Sequence, residues 1–574
     1  MTIRSSKLLI FVNCLRQSSF NFNLRNMIKY TRFLLPAFLL IAFLCPATVN
    51  ATAYYFYIQL KDKKNSPYSL TNPSAYLSKR AIDRRAYYFI PVDSTDLPVS
   101  PAYQSQITNL GIHIHCRSKW LNGLTVLVPD TSVISQLRTL PFVKYVQYTG
   151  ITEENKAAGI IRKRNKAMNF DYGAAATQIN QLNGSTLHDH GFRGENIHIA
   201  VLDAGFLNVD QNPAFDSLRL ENRLLGTKDF VNPASDIFSE DTHGAYVLSS
   251  MTGNIPGKYL GTAPKASYLL IRTEAADDEY LYEPDFWVSG IEYADSAGVD
   301  LATTSLGYTQ FDDSTMNYTY ADMNGKTARA SIAATMAFNK GIILLNSAGN
   351  DGNEPWHYIG VPADAEGVIA VGSVSKTGSP SSFSSFGPSY DNRIKPELCA
   401  MGSSSSLVYF ADSLVVTGSG TSFACPILAG MTACYLQAAK AKMPSHTLSL
   451  LRKHLNESGN LYSEPTAQMG YGIPDFAKAY NAINYTPVDN IRNDLRVKLL
   501  VNSTENKLKI RIPDYINSMS NARLVIYSPS GQTVLQAKFN FWSEDYDISA
   551  LNNGIYLLTI QENGIKFRTK IVIR

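Results

Sequence analysis

Four side chains suited to acyl transfer stand far apart in this chain. Ser422 lies in GTSFACP, ahead of the apolar helical pattern FACPILAGMTACYLQ. A hydroxyl at such a place either caps a helix, by accepting from an unpaired backbone N–H, or attacks a carbonyl beside the positive end of the helix. A nucleophile needs a base, an acid to orient that base, and a donor for the oxyanion. His243, in DTHGAYVLSSM, opens a second helical pattern with Gly244 beside it, which gives an imidazole room to face a cleft; a lone histidine there is otherwise incidental. Asp203 closes the run IHIAVLD, where an α/β sheet presents groups at the carboxyl ends of its strands, although an Asp before Ala-Gly also suits a plain turn. Asn350 ends GIILLNSAGN and carries an amide that either donates to an oxyanion or serves the turn SAGNDGN.

The elements that must position these residues are legible as apolar runs. Between about 166 and 485, IHIAVLD, SYLLIRT, VDLATTS, GIILLNSAGN and GVIAVGSV alternate with helical patterns. Runs unbroken by polar residues suit strands buried on both faces, so an α/β fold is expected, a parallel sheet flanked by helices. Residues 54–165 precede it with a pattern of their own: strands at YYFYIQL, GLTVLVP and VKYVQYT, helices at PSAYLSKRAIDRRA and SVISQLRTL, then the exposed linker EENKAAGIIRKRNKAMN. This predicts a small α+β unit whose basic linker is open to processing. From 490 to 574 the pattern changes to short alternating strands with turn signals, as in an all-β sandwich.

Length and composition limit the function. A chain of 574 residues calls for two or three domains. Its net charge of +4 is too small for that size to argue for a nucleic-acid or anionic-membrane partner. Residues 1–53 form a leader: MIKYTRFLLPAFLLIAFLCPATVNATA has a basic start, an apolar stretch too short for a permanent bilayer span, and small residues around Ala51 and Ala53. It is a secretory signal, with Met27 as an alternative start. Leu44 before Cys45, where a small residue would be expected, argues against a lipid anchor. Cys116, Cys399, Cys425 and Cys434 lack metal-ligand spacing and are expected as buried thiols outside any disulfide framework.

Asp203, His243, Asn350 and Ser422, in that order, resemble the subtilisin family of serine proteases. The resemblance extends through H-G-A-Y-V at the histidine, GTAPKA (261–266), SLG (305–307), SAGN (347–350), VPADA (361–365), FSSFGP (383–388) and GTSFACP. It implies that Ser422 attacks the peptide carbonyl, that His243 takes and returns its proton, and that Asp203 steadies the imidazolium. Asn350 and the N–H of Ser422 would hold the oxyanion. Ser305, Leu306 and Gly307 would pair with an extended substrate, with Ser347, Ala348 and Gly349 near the specificity pocket. No cofactor is required. The first half of FDDSTMNYTYADMNGKTARASIAATMAFNKG reads as an inserted loop near the substrate groove and leaves room for structural calcium. A histidine where sedolisin-type peptidases use a carboxylate disfavours that family.

The unit at 54–165 resembles the inhibitory propeptide of such enzymes, so a zymogen cut between 145 and 170 is expected, with RKRNK as a suggestive tract. The tail resembles the sorting domain of the type IX secretion system, through LVIYSPSGQTVL, DISALNNGIYLLTI and the terminal KIVIR. Export through the periplasm of a Gram-negative bacterium, to the medium or the cell surface, would follow. The expected partners are protein or peptide substrates, the chain's own propeptide and the secretion machinery. A catalytically silent binding protein on the same fold, and a maturation protease or transpeptidase of narrow specificity, share much of this pattern.

Overall fold

The computed structural model describes residues 53–152, 172–443, 446–485, 498–502, 507–511, 523–538, 545–562 and 565–573. The expected leader up to residue 52 and the linker tract 153–169 lie outside the described residues.

Residues 53–152 build an antiparallel sheet of β1 (Ala53–Leu60), β2 (His113–Ser118), β3 (Gly123–Val128) and β4 (Val143–Thr152), in the order β2-β3-β1-β4. The three expected strands and the helix Val133–Thr139 are present. A helix at Pro101–Thr108 and β2 are additional. β2 reads HIHCRS, whose polar residues hide a strand that nonetheless alternates between buried and open positions. PSAYLSKRAIDRRA is not one helix. A 3-10 turn at Pro73–Ala75 ends, and a new helix, Lys79–Tyr87, starts where the Ser78 hydroxyl accepts from Ala81 N at 3.1 Å. β1 is covered on both faces: Phe56 and Ile58 enter this unit's own core, whereas Tyr55 packs on Tyr282 and Phe286 of the next unit.

That next unit is built on seven parallel strands: β5 (His198–Asp203), β6 (Leu224–Asp229), β9 (Ser267–Arg272), β10 (Leu301–Thr304), β11 (Ile343–Ser347), β12 (Val368–Val374) and β13 (Leu398–Met401), ordered β13-β12-β11-β10-β5-β9-β6. Short hairpins β7 (Asn254–Ile255) with β8 (Tyr259–Leu260), and β14 (Ser405–Val408) with β15 (Val415–Gly418), stand beside it. Strand residues point alternately to two cores. Ile199 and Val201 face the helices His243–Thr252 and Thr421–Lys442; Ala200 and Leu202 face Glu283–Ala297 and Arg329–Asn339. Because both faces of the inner strands are buried, their middles are apolar, and each large side chain fully buried contributes about 1.5–3 kcal/mol. Helix Thr421–Lys442 is long and apolar enough to cross a bilayer, but it is buried as the central helix of this core.

The tail holds two antiparallel sheets, β16 (Lys498–Asn502), β17 (Lys507–Arg511) and β20 (Asp545–Asp547), and β18 (Arg523–Tyr527), β19 (Thr533–Lys538), β21 (Gly554–Glu562) and β22 (Ile565–Ile573). The GQ of the tail motif sits in the β18–β19 turn, where Ser528 N donates to Gln532 O at 2.8 Å.

Candidate active site

Adjacent strands bring the candidates together. β5 ends at Asp203, its neighbour β10 ends one residue before Ser305, and the next strand, β11, runs out at Ser347. All three therefore stand at the carboxyl edge of the sheet, where helix starts and loops meet.

Asp203 is 2% exposed, and its Oδ1 lies 2.7 Å from His243 Nδ1. The same oxygen accepts from Ala204 N at 2.8 Å, whereas Oδ2 is buried with no hydrogen-bond partner among the described residues. His243 is the first residue of its helix, and Asp241 fixes its backbone by accepting from His243 N at 2.7 Å. Two glycines make this approach feasible. A Cβ on Gly205 would stand 2.3 Å from Asp241 N, and one on Gly244 would stand 2.3 Å from Gly205 O. Burial opposes the charged imidazolium, but the charge and hydrogen bond of Asp203, with help from Asp241 and Glu274, outweigh it, so the His243 pKa lies above its ordinary value.

Ser422 is the second residue of its helix. It is not the cap: Gly420 holds that position, and no side chain caps the helix. The Ser422 N–H falls in the first turn, where a helix offers no acceptor of its own. Its hydroxyl donates to Ser305 O at 3.3 Å, a long bond and easily exchanged. The ring of its neighbour Phe423 lies 6.1 Å from that of His243, which brings this helix start to the imidazole. Pro426 interrupts the hydrogen bonding of this helix. It is the sixth helical residue, so its missing N–H leaves the Ser422 carbonyl without its i+4 donor. Ser305 Oγ fills the vacancy at 2.9 Å and ties the serine to the end of β10.

Asn350 accepts through Oδ1 from both Thr421 N at 2.9 Å and Thr421 Oγ1 at 3.0 Å. That fixes the amide, leaving Nδ2 as the half free to donate beside the Ser422 turn. Leu306 O accepts from Asn346 Nδ2 at 2.9 Å, and Gly307 follows it at the edge of the cleft. Ser347 and Ala348 are buried; the Ala348 N–H is committed to Val371 O at 3.0 Å and so supports the strand end. Gly349 turns the chain at φ +109°, with its carbonyl accepting from Ser385 N at 3.1 Å.

One neighbour was not foreseen. Glu274, two residues past β9, accepts from Tyr308 Oη at 2.7 Å and Thr273 Oγ1 at 2.8 Å, and burial lifts its pKa to about 7. The acidic residue directly after the buried run SYLLIRT was the available signal. The first half of the inserted loop packs toward the four-stranded sheet. Met316 and Tyr318 face Tyr57 and Gln147 of β1 and β4 across a cavity of about 700 Å³. Its DMNG turn is satisfied locally, Asp322 Oδ2 accepting from Thr319 N and Oγ1 and Asn324 Oδ1 from Lys326 N and Thr327 N. Among the described residues no group of three or more His, Cys, Asp or Glu is arranged to hold a metal ion. Cys116, Cys399, Cys425 and Cys434 are buried free thiols, as expected.

Comparison with known proteins agrees with this architecture. The profile of the subtilase family matches residues 194–472. That of the peptidase S8 propeptide domain of Bacteroidota matches 55–166, and that of a secretion system C-terminal sorting domain matches 502–574. Subtilisin NAT of Bacillus subtilis subsp. natto is 26% identical over 411 residues, covering 71% of this chain and 93% of that protein. Subtilisin J of Geobacillus stearothermophilus is 27% identical over 373 residues, covering 64% and 83%. The crystal structure of the epidermin leader peptide processing serine protease of Staphylococcus aureus shares the fold at 17% identity and a TM-score of 0.51, covering 75% of this chain and all of that one. The sorting domain implies a secreted or cell-surface protein of Bacteroidota. With a subtilase domain between its family's propeptide and that sorting domain, the chain belongs to the subtilase family of serine peptidases, hydrolases of peptide bonds.

Proposed function

We propose that this chain is the zymogen of a secreted endopeptidase that cleaves peptide bonds through an acyl-enzyme on Ser422. The observation that carries the reading is the 2.7 Å bond from buried Asp203 to Nδ1 of His243, beside the helix that begins at Gly420-Thr421-Ser422. Asp203 holds the imidazole in the tautomer with its proton on Nδ1, so Nε2 is free to accept. A turn of the Ser422 side chain exchanges its long bond to Ser305 O for one to that nitrogen. Attack on the substrate carbonyl then sends the hydroxyl proton to His243, and the imidazolium is held by the Asp203 carboxylate. The oxyanion receives the Ser422 N–H and Asn350 Nδ2, each such donor lowering the barrier by about 3 kcal/mol. His243 returns its proton to the leaving amine, and water repeats the sequence to free the acid.

The same reading makes residues 54–165 an inhibitor in cis, removed by a cut in the linker after β4. The tail would address the chain to a type IX secretion machinery and be removed there. The direct test compares matured wild type and Ser422→Ala on casein. Hydrolysis in the wild type, with a loss of at least about 10³-fold in the variant, supports the assignment; equal hydrolysis by both would overturn it.

A further inference from the structure

The propeptide carries a segment that contributes nothing to its own core. Among the described residues of that core, Phe56, Ile58 and Leu60 come from β1 and the next member is Val99; none comes from 61–98. Apart from Leu77 and Ala81, what this segment buries is charge, and it buries it against the peptidase unit. From the helix Lys79–Tyr87, Arg84 donates to Val299 O and to the Asp295 carboxylate, while Arg85 spans both oxygens of Asp295 at 2.9 and 2.8 Å. Arg80 donates to Gly298 O at 3.1 Å and Asn196 O at 2.8 Å, and pairs with Asp300. Asp96 accepts from Arg85 at 2.9 Å and from Lys340 of the peptidase unit at 2.9 Å. Arg85 is 1% exposed, Asp295 and Asp96 0%. Gly298 is part of the fit: a Cβ there would stand 2.6 Å from Ala81 N.

The partner face is a stripe on the helix Glu283–Ala297. Asp285, Ser289, Glu292 and Asp295 recur at helical spacing, and every one meets the propeptide. Glu292 accepts from Ser118 Oγ and Lys119 N, both at 2.6 Å, and from Trp120 N at 3.0 Å; Ser289 donates to Arg117 O at 3.2 Å; Asp285 takes a bond from Thr125 Oγ1 at 3.3 Å. These contacts come from the four-stranded sheet. Asp295, at the far end, is met by the arginine helix and by Lys119 Nζ at 3.1 Å.

We propose that segment 61–98 is a second clamp, a bipartite arginine anchor on Asp295 and Asp300 that keeps the propeptide seated after the linker has been cut. Cleavage alone then leaves a tight non-covalent complex, and activity appears only when the clamp releases or is itself cut. The inference rests on the reading of residues 54–165 as an inhibitory propeptide. Arginine suits the task, since its planar fork can divide, Arg85 Nη1 reaching Asp96 and Nη2 both oxygens of Asp295, and it keeps its charge when buried. Truncating one side of a buried, hydrogen-bonded ion pair acts mainly on dissociation.

The test uses the full chain, left to cut its own linker and passed over a sizing column while the appearance of peptidase activity is timed. In the wild type the cut propeptide is expected to co-elute with the enzyme, and activity to lag behind the first cut. In Arg84→Ala/Arg85→Ala the first cut should be unchanged, while propeptide loss and activity come roughly thirtyfold faster or more. If the double variant does not accumulate as folded protein, Arg80→Ala, whose side chain is 34% exposed, decides the matter through several-fold faster release. Unchanged release in the folded variant, or a wild-type propeptide that leaves as soon as the linker is cut, overturns the clamp. An uncut chain that is fully active would instead overturn the propeptide reading on which it rests.

Discussion

Replacing Asp203 by Asn removes one charge from the base and leaves its shape nearly unchanged. The carboxylate oxygen Oδ1 serves two donors, His243 Nδ1–H at 2.7 Å and Ala204 N–H at 2.8 Å, and Oδ2 has no partner among the described residues. An asparagine that keeps its oxygen at the Oδ1 position preserves both bonds but no longer stabilises an imidazolium. One that flips loses the Ala204 bond and forces the proton of His243 onto the wrong nitrogen. A unit charge about 4 Å away is worth about 4 kcal/mol at an effective dielectric of about 20, or about 10³ in rate; adding the tautomer fault brings the loss to about 10⁴. The pH profile supplies an independent sign. His243 must be neutral to act as base, and its pKa is raised because Asp203 outweighs burial. Activity of the wild type should therefore climb with pH through a midpoint above 6.5 and be lost as pH falls through it. In Asp203→Asn burial gains the upper hand, and the midpoint should move down. The assay is kcat/KM for a chromogenic peptide from pH 5 to 10, with a melting curve to show that the fold persists. A loss below about tenfold, or a midpoint that rises, would refute the reasoning.

Substitutions at three more positions probe the neighbouring parts. Asn350→Ala should cost about 3 kcal/mol of barrier, 10²–10³ in kcat, with little change in KM; Asn350→Asp keeps the acceptor for Thr421 but no amide donor, and should be no more active. Ser305→Ala strips the Ser422 carbonyl of the hydroxyl that replaces the missing Pro426 N–H, so chemical denaturation should show a loss of about 1–3 kcal/mol together with a lower kcat. Trp287, on the propeptide-facing helix, is fully buried against β10, with Nε1 donating to Thr304 Oγ1 at 3.1 Å, and Trp287→Ala should destabilise the fold by about 3–5 kcal/mol in the same experiment.

What the sequence revealed and what it hid follow from the range of the interactions involved. Parallel strands buried on both faces read directly as apolar runs, and IHIAVLD, SYLLIRT, VDLATTS, GIILLNSAGN and GVIAVGSV supply five of the seven strands; β6, the half-exposed LLGTKD at one edge, and β13, the short LCAM at the other, carry no run of that length and were not foreseen. The candidates were legible because each sits at the end of such a run or at the start of a helix. β2 was not, since HIHCRS owes its strand to pairing with β3 and to burial against a helix some 170 residues away, which local propensity does not register. PSAYLSKRAIDRRA gave no internal sign of its break, because the cap at Ser78 resembles any other serine in a polar stretch. Pro426 stands close to a helix start, where a proline ordinarily costs little. Its consequence, a carbonyl handed to Ser305, depends on a contact across 117 residues. The stripe Asp285, Ser289, Glu292 and Asp295 has the spacing of a solvated helix face, and only the folded chain places the propeptide over it.

The central claim is that Ser422 is the nucleophile, and the most direct measurement is covalent. Matured wild-type protein treated with a fluorophosphonate, digested and mapped by mass spectrometry should carry the label on Ser422, in the peptide containing GTSFACP, and the matured Ser422→Ala variant should carry none. A wild type freed of its propeptide that stays unlabelled, or a label that persists in the variant, would contradict the account.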